Sequence, residues 1–331
     1  MDNYTPPYTI SNKMLTLVSE ISDKVSRLTY NGSLEARPHL RKNNKIRSIH
    51  SSLAIEANSL SLGQVKDVIN NKIVLGEQKE IQEVKNAYEA YEMLSLINPF
   101  KLYDLKKLHS VMTKYLVDES GEFRKGEEGV FSGDKCIFMA PPARLVPELM
   151  EQLFSFMNDQ REEVHPLIMS AVFHYEFVFI HPFTDGNGRM ARLWHSALLY
   201  NWKPIFEFIP IESQIEKFQE DYYEAIAKCH INGNSNFFIE FMLEQIDKVL
   251  DELLEQVKSV DVDYSAYIKK LVDVMKYDIS YTSKELMELL DLKSRSSFRE
   301  NYLLPAIKSG FIEMTLPDKP NSRNQRYIRV V

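Results

Sequence analysis

Twelve consecutive residues, His181-Pro182-Phe183-Thr184-Asp185-Gly186-Asn187-Gly188-Arg189-Met190-Ala191-Arg192, gather an imidazole, a carboxylate, a glycine pair and two guanidinium groups. Each of these types has a use in phosphate chemistry. Gly186 and Gly188, flanking Asn187, let the backbone turn tightly and aim successive N–H groups at one point, where a helix begins and its dipole favours anions. Arg189 and Arg192, three apart on that helix, can direct both forks at one polyphosphate. Asp185 is a hard oxygen ligand suited to a Mg²⁺ that bridges phosphate oxygens. His181, at the loop entrance, can take a proton near neutral pH. Together they describe phosphoryl or nucleotidyl transfer, in which positioning and charge neutralisation supply most of the catalysis.

Other readings of the segment are weaker. Asp-Gly-Asn-Gly by itself is a common turn. A calcium loop starting at Asp185 would put Arg189 at its fifth position and Ser196 at its twelfth, and neither supplies the oxygen that loop requires there. Nine specified positions in this order arise by chance on the order of once in 10⁹ chains of this length, so the arrangement is not accidental.

The segment resembles the signature of the Fic family, HPFxDGNGRxxR, and matches it at every specified position. The resemblance implies a general base at His181, Mg²⁺ held by Asp185, phosphates bound by Gly186, Asn187 and Gly188, and a clamp formed by Arg189 with Arg192. It further implies attack by a Ser, Thr or Tyr hydroxyl of a target protein on the α-phosphate of ATP, releasing pyrophosphate, with self-modification included. The region 129–142 lies where such proteins place a hairpin flap that pairs with the target's backbone. Tyr223 and Asn236, in segments that resemble the helices closing the family's core, are expected near the nucleotide, although aromatic stripes of this kind equally pack helical bundles. His174 reads as a packed core histidine.

Upstream, Ser51-Ser52-Leu53-Ala54-Ile55-Glu56-Ala57-Asn58 resembles the family's inhibition motif, a Ser or Thr four residues before a Glu. Ala57 stands where glycine or asparagine is usual, with Asn58 one step later. Ser52 and Glu56 share one helix face. The resemblance implies that Glu56, paired with Arg192, takes the place of the γ-phosphate and keeps activity low.

Apolar residues recurring at three- and four-residue steps predict helices over 11–28, 40–57, 62–70 and 79–97, the last stopped by Pro99, and again over 147–158, 166–180 and 189–200, with a helical stretch over 214–254. Glycines at 121, 126, 129 and 133 punctuate short runs that read as the hairpin. A charged stretch, 256–263, reads as a linker or helix end. Beyond it, Thr282 and Ser283 open a helix to Leu290, a second spans 296–309 to Gly310, and two strands around a 317–324 turn form a wing. This part resembles a winged helix-turn-helix module. The expected fold is thus mainly α: a Fic-type helical bundle with a small β-hairpin flap, plus the winged unit. Its expected domains are an N-terminal helical region with the inhibitory helix (1–98), a catalytic core (99–255) and the winged unit (264–331).

Composition bounds the partners. A net charge of −7 over 331 residues gives no overall attraction to nucleic acid or anionic lipid. From Tyr281 onward cations exceed acids only slightly, so DNA contact, if made, is local. Cys136 and Cys229 form neither a disulfide framework nor a metal-ligand spacing, and the N-terminus lacks a basic start with an apolar run, so a cytoplasmic, membrane-free setting is expected. A DNA-binding regulator with a nucleotide-sensing domain, removal of AMP by the same site, and homo-oligomer formation all stay open at this level.

Overall fold

The computed structural model describes residues 4–30, 38–132, 135–260, 266–276, 279–317, 319–320 and 322–329. Helices α1 (Asn12–Tyr30), α2 (Pro38–Ile55), α3 (Leu62–Ile69) and α4 (Gln78–Glu92) come first, followed by a 3₁₀ turn (Leu94–Leu96) and α5 (Leu102–Met112). A hairpin of β1 (Gly129–Ser132) and β2 (Lys135–Met139) leads into α6 (Val146–Asp159), α7 (Pro166–Ile180) and α8 (Asn187–Trp202). Next come α9 (Ile211–Lys217), α10 (Gln219–Asn232), α11 (Asn236–Val260) and α12 (Ala266–Val274). Strand β3 (Ser280–Tyr281) precedes α13 (Ser283–Leu289). Then α14 (Arg295–Ser297) runs through a π-helical stretch (Phe298–Leu303) into α15 (Leu304–Lys308), with β4 (Ile312–Met314) and β5 (Tyr327–Arg329) after it.

The chain folds as two compact units: residues 1–23 with 45–250, and residues 24–44 with 251–331. Segment 45–98 thus packs in the same unit as 99–250. The core of the first unit is built around α7 and α8. Helix α7 carries buried side chains at nearly every position, because an all-round apolar helix has to be surrounded. Phe173, Phe177, Phe183 and Trp194 are among its fully buried side chains, and Phe154 packs edge-on against both Phe173 and Trp194. No helix among the described residues is long and apolar enough to cross a membrane.

Several elements follow directly from local chemistry. Ser61 and Gln64 close a capping box at the start of α3, and Thr282 with Glu285 does the same for α13. The expected helical stretch over 214–254 is made of three helices: Phe218 separates α9 from α10, and Gly233 ends α10 in the left-handed conformation at φ +64°. Residues 256–260 form the end of α11, one of the two expected readings, while 261–263 lie outside the described residues, as do 133 and 134.

The second unit is centred on Ile268, Leu271, Leu286, Phe298, Ala306 and Ile312. Its sheet has three strands in the order β3-β5-β4, not the two expected. The additional strand is only two residues long, pairing Ser280 with Ile328 and Tyr281 with Tyr327. Arg326 reinforces it by donating from Nη2 to the Ser280 carbonyl at 2.9 Å. A strand this short carries no alternating pattern for sequence to reveal.

Candidate active site

The twelve-residue loop is positioned from both ends. Helix α7 stops at Ile180 because His181 adopts a left-handed backbone, φ +50°, with its N–H still donating to Phe177 O at 2.9 Å. Gly186, at φ +79°, turns the chain into α8. A Cβ there would sit 3.0 Å from Thr113 Cγ2 and 3.6 Å from His109 Nε2 in addition to the disfavoured backbone, so both space and conformation require glycine. Between these points Asn187 staples the loop: its Oδ1 accepts from Phe183 N–H at 2.9 Å, and its Nδ2 donates to Phe183 O at 2.7 Å. Its side chain is therefore committed to the loop backbone, so an anion held here would meet the amides of the α8 first turn.

The imidazole of His181 faces a single hydrogen-bond partner, Val178 O, 3.4 Å from Nδ1. Placing the proton on Nδ1 leaves Nε2 as a free acceptor. Burial pushes the ring below its ordinary pKa, outweighing the opposing pull of the Val178 carbonyl, Glu128 and Glu56. Such a histidine is neutral, and able to accept a proton, at physiological pH.

Asp185 accepts from its neighbour's amide, Gly186 N–H, at 2.6 Å, and Arg189 Nη2 lies 3.0 Å from both of its carboxylate oxygens. Burial favours the neutral acid, but Arg189 and the Gly186 amide more than offset it and hold the carboxyl below its ordinary value. Arg189 is 4% exposed, yet its Nε and Nη1 have no hydrogen-bond partner. Glu83 lies 3.9 Å from Nη1, beyond hydrogen-bond reach. Two buried, unpaired donors of a guanidinium beside a helix N-terminus are what an anion would satisfy.

Arg192 is engaged through Nε and Nη2. It donates from Nε to Ser52 Oγ at 3.1 Å, and from Nη2 to Ser52 O and to Glu56 Oε1, both at 2.8 Å. Glu56 follows the last residue of α2, and its carboxylate lies so near the first turn of α8 that a Cβ on Gly188 would collide with it. Ala57, next in line, is held at φ +65°. This left-handed position is where glycine or asparagine fits without strain, and the helix ends at the same point with alanine.

The structure thus brings together His181, Asp185, Gly186, Asn187, Gly188, Arg189, Arg192, Ser52 and Glu56. Tyr223 is half exposed and packs edge-on against Tyr222, and the Asn236 amide holds Thr9, accepting from its N–H at 2.9 Å and donating to its carbonyl at 2.8 Å. His174 is buried completely, with Tyr222 OH 3.0 Å from its Nε2. Tyr4 donates to Glu176 on α7 at 2.6 Å.

Two residues absent from the sequence reading hold the loop. His109 on α5 accepts from Gly121 N–H at Nδ1, 2.9 Å, which leaves the Nε2 proton to reach Asp185 O at 3.0 Å. Its ring stacks on Phe183 with centroids 3.6 Å apart. Burial keeps this imidazole neutral, pushed down to about 4. Arg124 donates from Nε to His181 O at 2.7 Å, and its own N–H donates to Pro182 O at 2.9 Å. A histidine on an amphipathic helix and an arginine in a glycine-punctuated loop carry no sequence mark of such partners.

A Mg²⁺ fits this donor set in one form only. Among the described residues no group of three or more His, Cys, Asp or Glu side chains could cage a metal, but Mg²⁺ is commonly held by one or two carboxylates plus substrate phosphates. The 41% exposed Asp185 side chain at the loop offers one such oxygen donor.

Residues 99–199 match the model of the Fic/DOC family, and residues 266–329 match that of the Filamentation induced by cAMP protein Fic-like, C-terminal domain. The chain is 29% identical to the protein adenylyltransferase Fic of Nematostella vectensis over 74% of its own length and 56% of the relative's. It is 24% identical to the protein adenylyltransferase fic-1 of Caenorhabditis elegans over 76% of its length and 48% of the relative's. It thus spans about half the length of these curated relatives. The crystal structure of a Fic family protein from Desulfovibrio desulfuricans superposes with a TM-score of 0.75 and 42% identity, covering 98% of both chains. A Fic domain containing signaling protein from Bacteroides thetaiotaomicron shares the fold alone, at TM-score 0.61 and 20% identity. With the signature loop assembled as described and one such relative matched along nearly its whole length, this chain belongs to the Fic/DOC family.

Proposed function

We propose that the chain is a protein adenylyltransferase, moving AMP from ATP onto a hydroxyl of a target protein, and that Glu56 holds it in a low-activity state. The observation that carries the reading is Arg189: a buried guanidinium with two unpaired donors, beside the amides opening α8 and on the same helix as Arg192. The relatives named protein adenylyltransferase Fic support the same chemistry.

In this reading Arg189 and the α8 amides bind the phosphates. His181 Nε2 takes the proton of the target hydroxyl as its oxygen attacks the α-phosphorus. The bond from that phosphorus to the bridging oxygen breaks, pyrophosphate leaves with the electron pair, and the target carries an AMP ester. Asp185 would hold Mg²⁺, which when bound neutralises phosphate charge and favours the leaving pyrophosphate. The hairpin of β1 and β2 is the surface proposed to align the target strand. Glu56 opposes all of this by placing a carboxylate on Arg192 where phosphate charge would otherwise pair. Incubation with α-³²P-labelled ATP and Mg²⁺, using the protein itself and a protein extract as acceptors, tests the proposal. Labelling that requires His181 is expected, and label persisting in His181→Ala would remove the base from the mechanism.

A second reading concerns the C-terminal unit. A cleft of about 440 Å³ there is lined by Lys284, Arg295, Arg299 and Arg323 with no acidic side chain. This local cationic surface favours contact with a nucleic-acid backbone despite the negative chain. A gel shift of the full chain with duplex DNA across a salt series should show retention that weakens steeply with salt. Absence of retention at 50 mM salt would leave the cleft to a protein partner.

A further inference from the structure

Arg124 is 3% exposed, and every hydrogen bond of its guanidinium goes to a main-chain carbonyl. Nε donates to His181 O at 2.7 Å, Nη1 to Gly126 O at 2.8 Å, and Nη2 to Pro141 O and, at 3.4 Å, to Ile180 O. With its own N–H on Pro182 O at 2.9 Å, the residue holds three consecutive carbonyls around His181. It also ties both feet of the hairpin, since Gly126 lies just before β1 and Pro141 just after β2.

The geometry points to Arg124 as the positioning residue that fixes the His181 imidazole and couples it to the β1–β2 hairpin. The inference deepens the transferase reading, because it joins the base to the surface proposed to receive the target. His181 sits in a left-handed backbone that a non-glycine residue keeps only when its surroundings over-determine it. Its side chain has one long hydrogen bond, to Val178 O, so the ring's place follows from its main chain, and Arg124 holds the carbonyls of that main chain from 180 to 182. A lysine could not substitute. Its three donors radiate from one point, whereas the planar fork reaches carbonyls on separate segments. The charged groups acting on His181 are Glu128 beside the hairpin, Glu56 and Arg124 itself. Arg124 pulls the imidazole pKa down while both carboxylates pull it up.

The test uses the full chain and a readout independent of activity. Histidine ¹³Cε1 signals are titrated by NMR, with the His181 signal identified by its loss in His181→Ala, and amide exchange is followed over 129–132 and 135–139. In Arg124→Gln the His181 titration is expected to move upward, because a cation is gone, and hairpin amides to exchange roughly tenfold faster. In Arg124→Lys the retained charge keeps the titration near that of the parent, while the hairpin still exchanges faster. In a Glu56→Gly background both variants should lower kcat for labelling while leaving KM for ATP within about twofold, since Arg124 touches none of the phosphate-facing groups. An unmoved His181 titration in Arg124→Gln, or hairpin exchange equal to the parent in both variants, overturns the inference. Should Arg124→Gln not fold, the lysine variant decides alone: faster hairpin exchange supports the coupling and parental exchange removes it. If the Glu56→Gly parent labels nothing, the transferase reading fails, and the titration and exchange still decide the role of Arg124.

Discussion

Arg192 and Glu56 lie 136 positions apart in sequence, yet Arg192 Nη2 stands 2.8 Å from Glu56 Oε1. The guanidinium is buried to within 1% of complete, while the carboxylate side chain is 40% exposed. One partner is thus pinned by packing and by Ser52, and the other is held mainly by the ion pair and reachable from solvent. On that asymmetry, displacement of the acidic partner is expected to leave the core intact.

Glu56→Gly should raise labelling from α-³²P-ATP. A charge-assisted bond with one exposed partner contributes about 1–2 kcal/mol, corresponding to a gain of about five- to thirtyfold. Initial rates of self-labelling, with Glu56→Gln as the side-chain-preserving control, provide the measurement. Equal rates in all three proteins would remove Glu56 from regulation.

Ala57→Gly should stabilise the fold. A left-handed alanine costs about 1–2 kcal/mol, partly offset by the extra freedom glycine has when unfolded. The net gain of roughly 0.5–1 kcal/mol predicts a thermal midpoint about 1–4 °C higher. A lower midpoint would mean that the turn at φ +65° is not strained.

Labelling by the Glu56→Gly protein should persist to a lower pH than an ordinary histidine base allows. Burial holds His181 below its usual value, so the acid limb of kcat/KM is expected below about pH 6.5. A limb above that value would require a different base.

Glu176 ties stability to pH in the opposite sense from a salt-bridged carboxylate. Burial pushes its acid up to about 7, against the opposing hydrogen bond from Tyr4. Between the unfolded value near 4.3 and this folded value the native state binds more protons than the unfolded chain, so stability falls as pH rises through that window. Relative to wild type, Glu176→Gln should therefore gain up to about 3 kcal/mol on going from pH 4 to pH 8. Urea midpoints of both proteins at the two pH values give the answer, and parallel shifts would contradict it.

His109→Phe retains a ring to stack on Phe183 but strands Gly121 N–H and the Asp185 carbonyl. Stability should fall by roughly 1–3 kcal/mol, measured by urea unfolding. A neutral outcome would show that stacking alone holds the loop.

The legible parts of the molecule were those in which cause and effect lie close along the chain. The glycines that turn into α8, the carboxylate one residue before Gly186 and the two arginines on the first turns of α8 act within twelve residues. Helix periodicity gave the bundle, and capping chemistry gave the start of α13. Where the signal was a break rather than a repeat, it was lost: Phe218 divides an apolar pattern that continues on both sides, and two residues of β3 are too few to show alternation.

Sequence alone determined which chemistry is present, because an imidazole, a carboxylate and two guanidinium groups around a glycine turn keep their character in any fold. Tertiary structure decided which donors are taken and which are free. Asn187 turned inward to staple Phe183, Arg192 was claimed by Ser52 and Glu56, and Arg189 kept two donors unpaired. His109 and Arg124 became the supports of the loop only when carbonyls 76 and 57 positions away came within reach. The physical reason is that a hydrogen bond depends on distance and direction over about 3 Å, and packing across α5, α7 and α8 sets those quantities where no local pattern records them.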